Sequence, residues 1–203
     1  MTVSISNFDE HHLPDASTAE SSLREVLHAF ETNGVAGEHV TASNSGTFYG
    51  GGWFSFFSGT SYAYSSKDPA HYAFVATGDL HYYFPPFSGS MSDGPTSHTL
   101  WGTIESITLG GGVTKGQIVD PLITFTFDQP IFGDVSEGRA NDTHDVIWGL
   151  MNGSVDGADD RLGSGTHGGL TTALETNGLD ISMSIADLVG HNFATETDLA
   201  LAA

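Results

Sequence analysis

The sequence predicts an α+β fold, with helices packed on one face of an antiparallel sheet. Three observations predict it. A helix-period apolar stripe opens the chain, aromatic and β-branched runs fill its middle, and helical patterns return in its last third. The 26 glycines in 203 residues are roughly twice the usual ~7%. With 13 Phe and 6 Tyr spread between them, they suit strands joined by tight turns rather than a disordered chain. No shift in composition marks a domain boundary, and the length suffices for one sizeable core.

The first helix is signalled by Leu23, Val26, Leu27 and Phe30, which recur at i, i+3, i+4 and i+7. Ser17 and Glu20 have capping-box spacing ahead of it, and Asn33-Gly34 ends it. Val35 to Gly52 is polar and glycine-rich and reads as a long first loop. From Trp53 to Gly112 the pattern is strand-like. Tyr62-Ala63-Tyr64 and His71 to Ala76 read as strands, and Gly78-Asp79 as a hairpin turn into Leu80 to Phe84. Pro85-Pro86 stops that strand, Phe87 to Ser97 forms a second loop, and His98 to Trp101 re-enters the sheet. Ile123 to Phe127 alternates apolar and polar residues, as a strand with one buried face does. Val146, Ile147, Leu150 and Met151 form a helix stripe beginning after Asp142 or Thr143 and stopping at Gly153. Leu170, Ala173 and Leu174 begin another, closed by Asn177-Gly178, and Ser184 to Val189 gives a short third.

Charge narrows the function. Five Lys plus Arg against 25 Asp plus Glu leave a net charge of −20, which repels phosphate backbones and anionic lipid. Nucleic acid is therefore excluded as a partner, and no segment reads as a membrane span. Ten histidines accompany no cysteine, which removes disulfides, iron–sulfur clusters and thiolate zinc sites. Met1 to Asn7 lacks the basic start and apolar run of a cleaved secretory signal.

Most constellations that suggest chemistry fail on spacing. In Asp9-Glu10-His11-His12 four adjacent side chains cannot converge on one ion, so it reads as a solvated arm. There is no His-Glu-x-x-His, and Gly52-Trp53-Phe54-Ser55-Phe56 is no nucleophile elbow. Gly157 to Gly165 resembles one turn of the glycine–aspartate calcium repeats, which work as stacked copies, and here it occurs once. It reads as a surface loop, with a secreted calcium-binding or adhesive module as the alternative. More suggestive is the tyrosine ending one strand, in Gly78-Asp79-Leu80-His81-Tyr82-Tyr83-Phe84. A histidine opens the next, in Ser97-His98-Thr99-Leu100-Trp101-Gly102. Across a connecting loop such a pair can face each other, as a structural hydrogen bond or as part of a metal site.

These two segments resemble the haem-binding core of the bacterial haemophores of the HasA type. In that family a Gly-Asp-Leu-x-Tyr strand supplies the tyrosine ligand of ferric haem, and a histidine opening a His-Thr-Leu-x-Gly strand hydrogen-bonds it. Asn44 to Gly51 resembles the family's first loop, His144-Asp145-Val146-Ile147-Trp148-Gly149-Leu150-Met151-Asn152-Gly153 its His-x-Val-Val-Tyr-Gly-Leu-Met-x-Gly helix, and Asp198 to Ala203 its C-terminus. The matches run in order from Leu23 to Ala203.

The resemblance implies a carrier and not an enzyme: a monomer that captures ferric haem b outside the cell, holds it between two loops of a curved antiparallel sheet, and delivers it to an outer-membrane haem receptor. Host haemoproteins are an implied source of the haem. Residues 1–190 would form the single haem-binding domain and 191–203 a C-terminal signal for type I secretion. Tyr82 is the implied iron ligand and His98 its hydrogen-bond partner, with Phe84, Leu100, Trp148 and Met151 lining the pocket by position. Trp148 and Met151 fit an ordinary helix core equally well, and only the motif distinguishes Tyr82 from its neighbour Tyr83. Family members usually add a histidine from the first loop as second axial ligand. Here Val35 takes that place, leaving His39 as a substitute ligand or a surface residue. Tyr82 and His98 are 16 residues apart, about twice the usual family separation.

This chemistry needs these residue types. A phenol titrates near pH 10 in water, so its anion forms at neutral pH only with help. Ferric iron supplies that help, and a histidine sharing the proton strengthens the ligand. Hard anionic oxygen favours oxidised iron, which suits transport.

Overall fold

The computed structural model describes residues 2–32, 46–52, 56–66, 72–89, 97–158 and 166–190. Its centre is a six-stranded antiparallel sheet. Strands β2 (Thr47–Tyr49), β3 (Ser58–Ser65), β4 (Ala73–Tyr83), β5 (Thr99–Thr114) and β6 (Gln117–Gly133) follow one another as a meander. β1 (Val3–Ser6) adds itself to the free side of β6, giving the order β1-β6-β5-β4-β3-β2. The long β5–β6 hairpin turns at Lys115-Gly116, both with positive φ, the backbone that two-residue hairpins require.

The two faces of the sheet follow from side-chain alternation. One row, Phe48, Tyr62, Ala76, Ile107, Phe125 and Ile5, crosses all six strands on the core side, and a second, Tyr64, Phe74, Leu109 and Ile123, runs beside it. The opposite face carries Ser4, Thr126, Ser106, Thr77 and Ser61 in register, with Thr77 and Ser106 hydroxyls 2.5 Å apart. Ile123 to Phe127 thus alternates as expected, except that Thr124 is buried, its hydroxyl 2.9 Å from that of Thr108.

Helix α1 (Leu23–Thr32) buries Leu23, Val26, Leu27 and Phe30, and Phe30 stacks on Tyr72 with ring centroids 4.8 Å apart. Burying such side chains stabilises by about 1.5–3 kcal/mol each. The cap lies later than expected. Ser22 and Glu25 form the box, with the Ser22 amide donating to Glu25 at 2.9 Å and the Glu25 amide to Ser22 Oγ at 3.3 Å. Ser17 sits a full turn too early, because residues 17–21 are held in turns and the helix starts only where 181–183 supply carbonyls to Leu23 and Arg24. The expected end at Asn33-Gly34 lies outside the described residues.

Helix α2 (Asp142–Met151) is capped by Asn141, whose side chain accepts from the His144 amide, and α3 (Gly169–Thr176) ends at Asn177. Gly168 gives α3 no side-chain cap. The buried carboxylate of Asp145, on α2, takes the amides of His167 and Gly169 instead, at 3.0 and 2.8 Å. A helical turn at 185–190 follows, and no helix among the described residues is long and apolar enough to cross a membrane.

Two further expectations are corrected. Gly78-Asp79 is no hairpin turn: β4 runs straight through it and carries a register shift there against β5. Gly78 has φ +149, and a Cβ would run into the Thr103 carbonyl oxygen, so the glycine serves a bulge in a continuous strand. The first loop is shorter than its composition suggests, since Thr47-Phe48-Tyr49 pairs with β3 as an edge strand.

Candidate functional site

β6 ends at Gly133, so the opening residues of β5 have no strand on that side. The chain instead turns through a 3-10 segment, Val135–Ala140, and brings the start of α2 alongside. Side chains then do what a strand would have done. Asn141 Nδ2 donates to the Leu100 carbonyl at 3.0 Å, His144 Nδ1 accepts from the Leu100 amide at 3.1 Å, and Thr143 Oγ1 donates to the Gly102 carbonyl at 2.8 Å. His144 is therefore committed to the backbone of β5, and its ring stacks on Trp148 at 5.9 Å.

Leu100 pairs across the ladder with Tyr82, near the end of β4. Alternation puts Tyr82 on the same face as fully buried Leu80, but at the margin of the sheet, where it is only half-buried. Its backbone is fixed from two sides: its amide donates to the Phe57 carbonyl at 2.7 Å, and Ser88 Oγ donates to its carbonyl at 2.5 Å. The Phe84–Ser88 turn, which contains the cis Pro85-Pro86 bond, supplies that serine. Tyr83 points the other way. It is 4% exposed and its ring lies against Gly89.

The second loop returns at Ser97-His98. The His98 amide donates to the Tyr83 carbonyl at 2.9 Å, and the residue takes a left-handed φ of 66. This places His98 Nδ1 2.6 Å from Tyr82 Oη. Around the pair stand Phe84, 4.4 Å from the His98 ring, and Phe57, stacked 6.3 Å from Tyr82. Phe87 stacks on Phe84 at 5.4 Å. Phe87 and Phe56 are exposed, at 71% and 78%. Phe87 thereby extends the aromatic cluster around the pair toward solvent.

The electrostatics agree with a neutral imidazole facing a protonated phenol. Burial pushes the Tyr82 phenol up from its usual value, against the opposing charge of Arg139. Burial, then Arg139, hold the His98 imidazole below 6.5. In the tautomer protonated at Nε2, Tyr82 donates to Nδ1. A proton leaving Oη therefore has an acceptor already in hydrogen-bond contact.

The structure thus brings Tyr82, His98, Phe84 and Leu100 together and links Trp148 to them through His144. Met151 is 6% exposed and its sulfur accepts from the Tyr62 hydroxyl at 3.2 Å, within the core. Tyr62 also takes the Gly46 amide at 2.9 Å, pinning the approach to β2. His39 and Val35 lie outside the described residues, as do 159–165 of the calcium-repeat-like stretch. Among the described residues no three His, Asp or Glu side chains are grouped to hold a metal ion. His11 and His12 are engaged locally, with Asp9 and the Pro121 carbonyl.

Sequence reasoning missed Phe57, Phe87 and Arg139. The run Trp53 to Phe57 beside the first loop was the available signal for the first. Nothing in the sequence links Arg139 to a site 42 residues earlier.

Comparison with known proteins places the chain in a family. The family described as Heme-binding protein A (HasA) matches residues 15–203. The hemophore HasA of Serratia marcescens is 33% identical over 148 residues, covering 70% of this chain and 68% of its own. The holo hemophore HasA from Yersinia pestis superposes with a TM-score of 0.67 at 21% identity, over 92% of this chain and 95% of that one. A tetragonal apo form of the same protein gives 0.66, over 92% and 93%. The six-stranded α+β architecture is therefore the one these proteins share, and the chain belongs to the HasA family of haem-binding proteins.

Proposed function

We propose that this protein is an extracellular haem carrier that takes up ferric haem b through Tyr82, and that it performs no catalysis. The observation that carries the reading is the 2.6 Å contact between Tyr82 Oη and His98 Nδ1 at a half-buried, aromatic margin of the sheet. Haem is the cargo, and its iron supplies the Lewis acid that draws out the phenolate. The residues present fit it. Tyr82 offers a hard oxygen, His98 accepts or shares the displaced proton, and Phe57, Phe84 and Phe87 offer flat apolar surface. Leu100 and Trp148 would back the pocket, and His39 is the candidate for a second axial position.

The charge of −20 repels the haem propionates, so capture depends on the iron bond and apolar contact and not on steering. Residues 1–190 would act as one haem-binding unit and 191–203 as the export signal. The carrier would act as a monomer, with an outer-membrane haem receptor as recipient and host haemoproteins as source.

Titration of the apoprotein with haemin, beside iron-free protoporphyrin, tests this reading. One haemin should saturate each chain, and the iron-free ring should bind at least tenfold more weakly. Equal binding of the two rings would remove the iron ligand from the account, and no saturable binding of either would end the carrier reading.

A further inference from the structure

Arg139 is one of only five Lys and Arg residues in the chain, and its guanidinium reaches the end of the second loop. The 3-10 segment that carries it is broken by Gly138, at φ 62 and ψ −141, a conformation reserved for glycine. That kink is itself held, because Asn141 Nδ2 donates to the Gly138 carbonyl at 2.5 Å. Beyond it, Arg139 directs two N–H groups onto one oxygen, the Ser97 carbonyl, from Nε at 3.2 Å and Nη2 at 2.8 Å. Ser97 immediately precedes His98, whose left-handed backbone is unfavourable for a side-chain-bearing residue and persists only where its surroundings hold it. The Tyr83 carbonyl restrains the His98 amide from one side, and Arg139 restrains the preceding carbonyl from the other.

We propose that Arg139 is a positioning residue for haem binding: it grips the end of the second loop so that His98 Nδ1 is delivered onto Tyr82 Oη. The proposal deepens the carrier reading and rests on Tyr82 as the ligand. A charge-assisted fork on a carbonyl is stronger than a neutral hydrogen bond, and neither Gln nor Lys reproduces its geometry.

The test uses Arg139→Gln and Arg139→Lys, each also combined with His98→Ala. In the apoprotein, proton–nitrogen NMR of the His98 ring reads the Tyr82 contact with no haem present. Wild type should show one tautomer, protonated at Nε2, and R139Q a mixture, with R139K between them. In the haem complex, transfer of haem to an excess of a scavenging apoprotein should be on the order of tenfold faster in R139Q, the usual scale for losing a partner of a metal ligand. In the His98→Ala background the Arg139 substitutions should add no further acceleration. Equal acceleration with and without His98 would overturn the proposal, as would an unchanged tautomer in both variants. Should R139Q fail to fold, R139K carries the same readings. A disturbed tautomer with unaltered haem release would overturn the role in haem binding while leaving Tyr82 as the ligand. Loss of Tyr82 as the ligand would show instead as an unchanged haem spectrum in Tyr82→Ala.

Discussion

Tyr82 Oη and His98 Nδ1 lie 2.6 Å apart although 16 residues separate them along the chain. Neither partner achieves this alone. Tyr82 is fixed by Phe57 and Ser88, and His98 by the Tyr83 carbonyl behind it and the Arg139 grip on Ser97 before it. The hydrogen bond is thus the meeting point of four separately anchored backbone segments.

Its protonation state can be measured directly. His98 should titrate below 6.5 in the apoprotein, since burial and then Arg139 disfavour its cation. The folded chain then binds this proton less tightly than the unfolded chain. Its contribution to stability therefore falls as pH drops through about 6.5 and is constant above it. An NMR midpoint above 6.5 would contradict the assignment.

Asn141 should be among the more costly polar residues to remove. It caps α2 and donates to the carbonyls of Leu100 and Gly138. Losing the cap costs about 1 kcal/mol, and stranding a buried carbonyl about 1–3 kcal/mol more. Urea unfolding of Asn141→Ala should therefore lose about 2–4 kcal/mol with an unchanged denaturant slope. A loss no larger than that of an exposed polar residue would mean that Leu100 finds another donor.

Gly78→Ala tests the bulge. Alanine at φ +149 is strained, and its Cβ would meet the Thr103 carbonyl oxygen. Destabilisation of about 2 kcal/mol or more is expected by denaturant titration. A neutral substitution would mean that the strand can pair without the register shift.

The capping box gives a paired comparison. Ser22→Ala should cost about 1 kcal/mol, while Ser17→Ala should stay within about 0.5 kcal/mol. Thermal unfolding of the two variants would place the helix start, and the reverse order would return it to Ser17.

The contrast between those serines shows where the sequence was legible. Leu23, Val26, Leu27 and Phe30 mark a buried stripe because periodicity is local, but the helix start depends on carbonyls from residues 181 and 183. Gly78-Asp79 carries turn chemistry, yet the neighbouring strand decides that it forms a bulge. β1 was missed for the same reason: four short residues, Val3–Ser6, become a strand only because β6 offers a free edge. Within the site, Tyr82 and His98 were legible through a motif. The motif alone favoured Tyr82 over Tyr83, and the alternation of β4 turns the two to opposite faces. Arg139 and Phe57 needed three-dimensional proximity. His39 lies outside the described residues, and its role rests on the resemblance alone.

The most direct measurement is the visible absorption spectrum of the haemin complex in wild type, Tyr82→Ala and Tyr83→Phe. Ligation by Tyr82 predicts a saturable spectrum with a phenolate-to-iron charge-transfer band in wild type and Tyr83→Phe. In Tyr82→Ala that band should be absent and haemin at least tenfold more weakly held. Retention of the band in Tyr82→Ala, or its loss in Tyr83→Phe, would contradict the assignment.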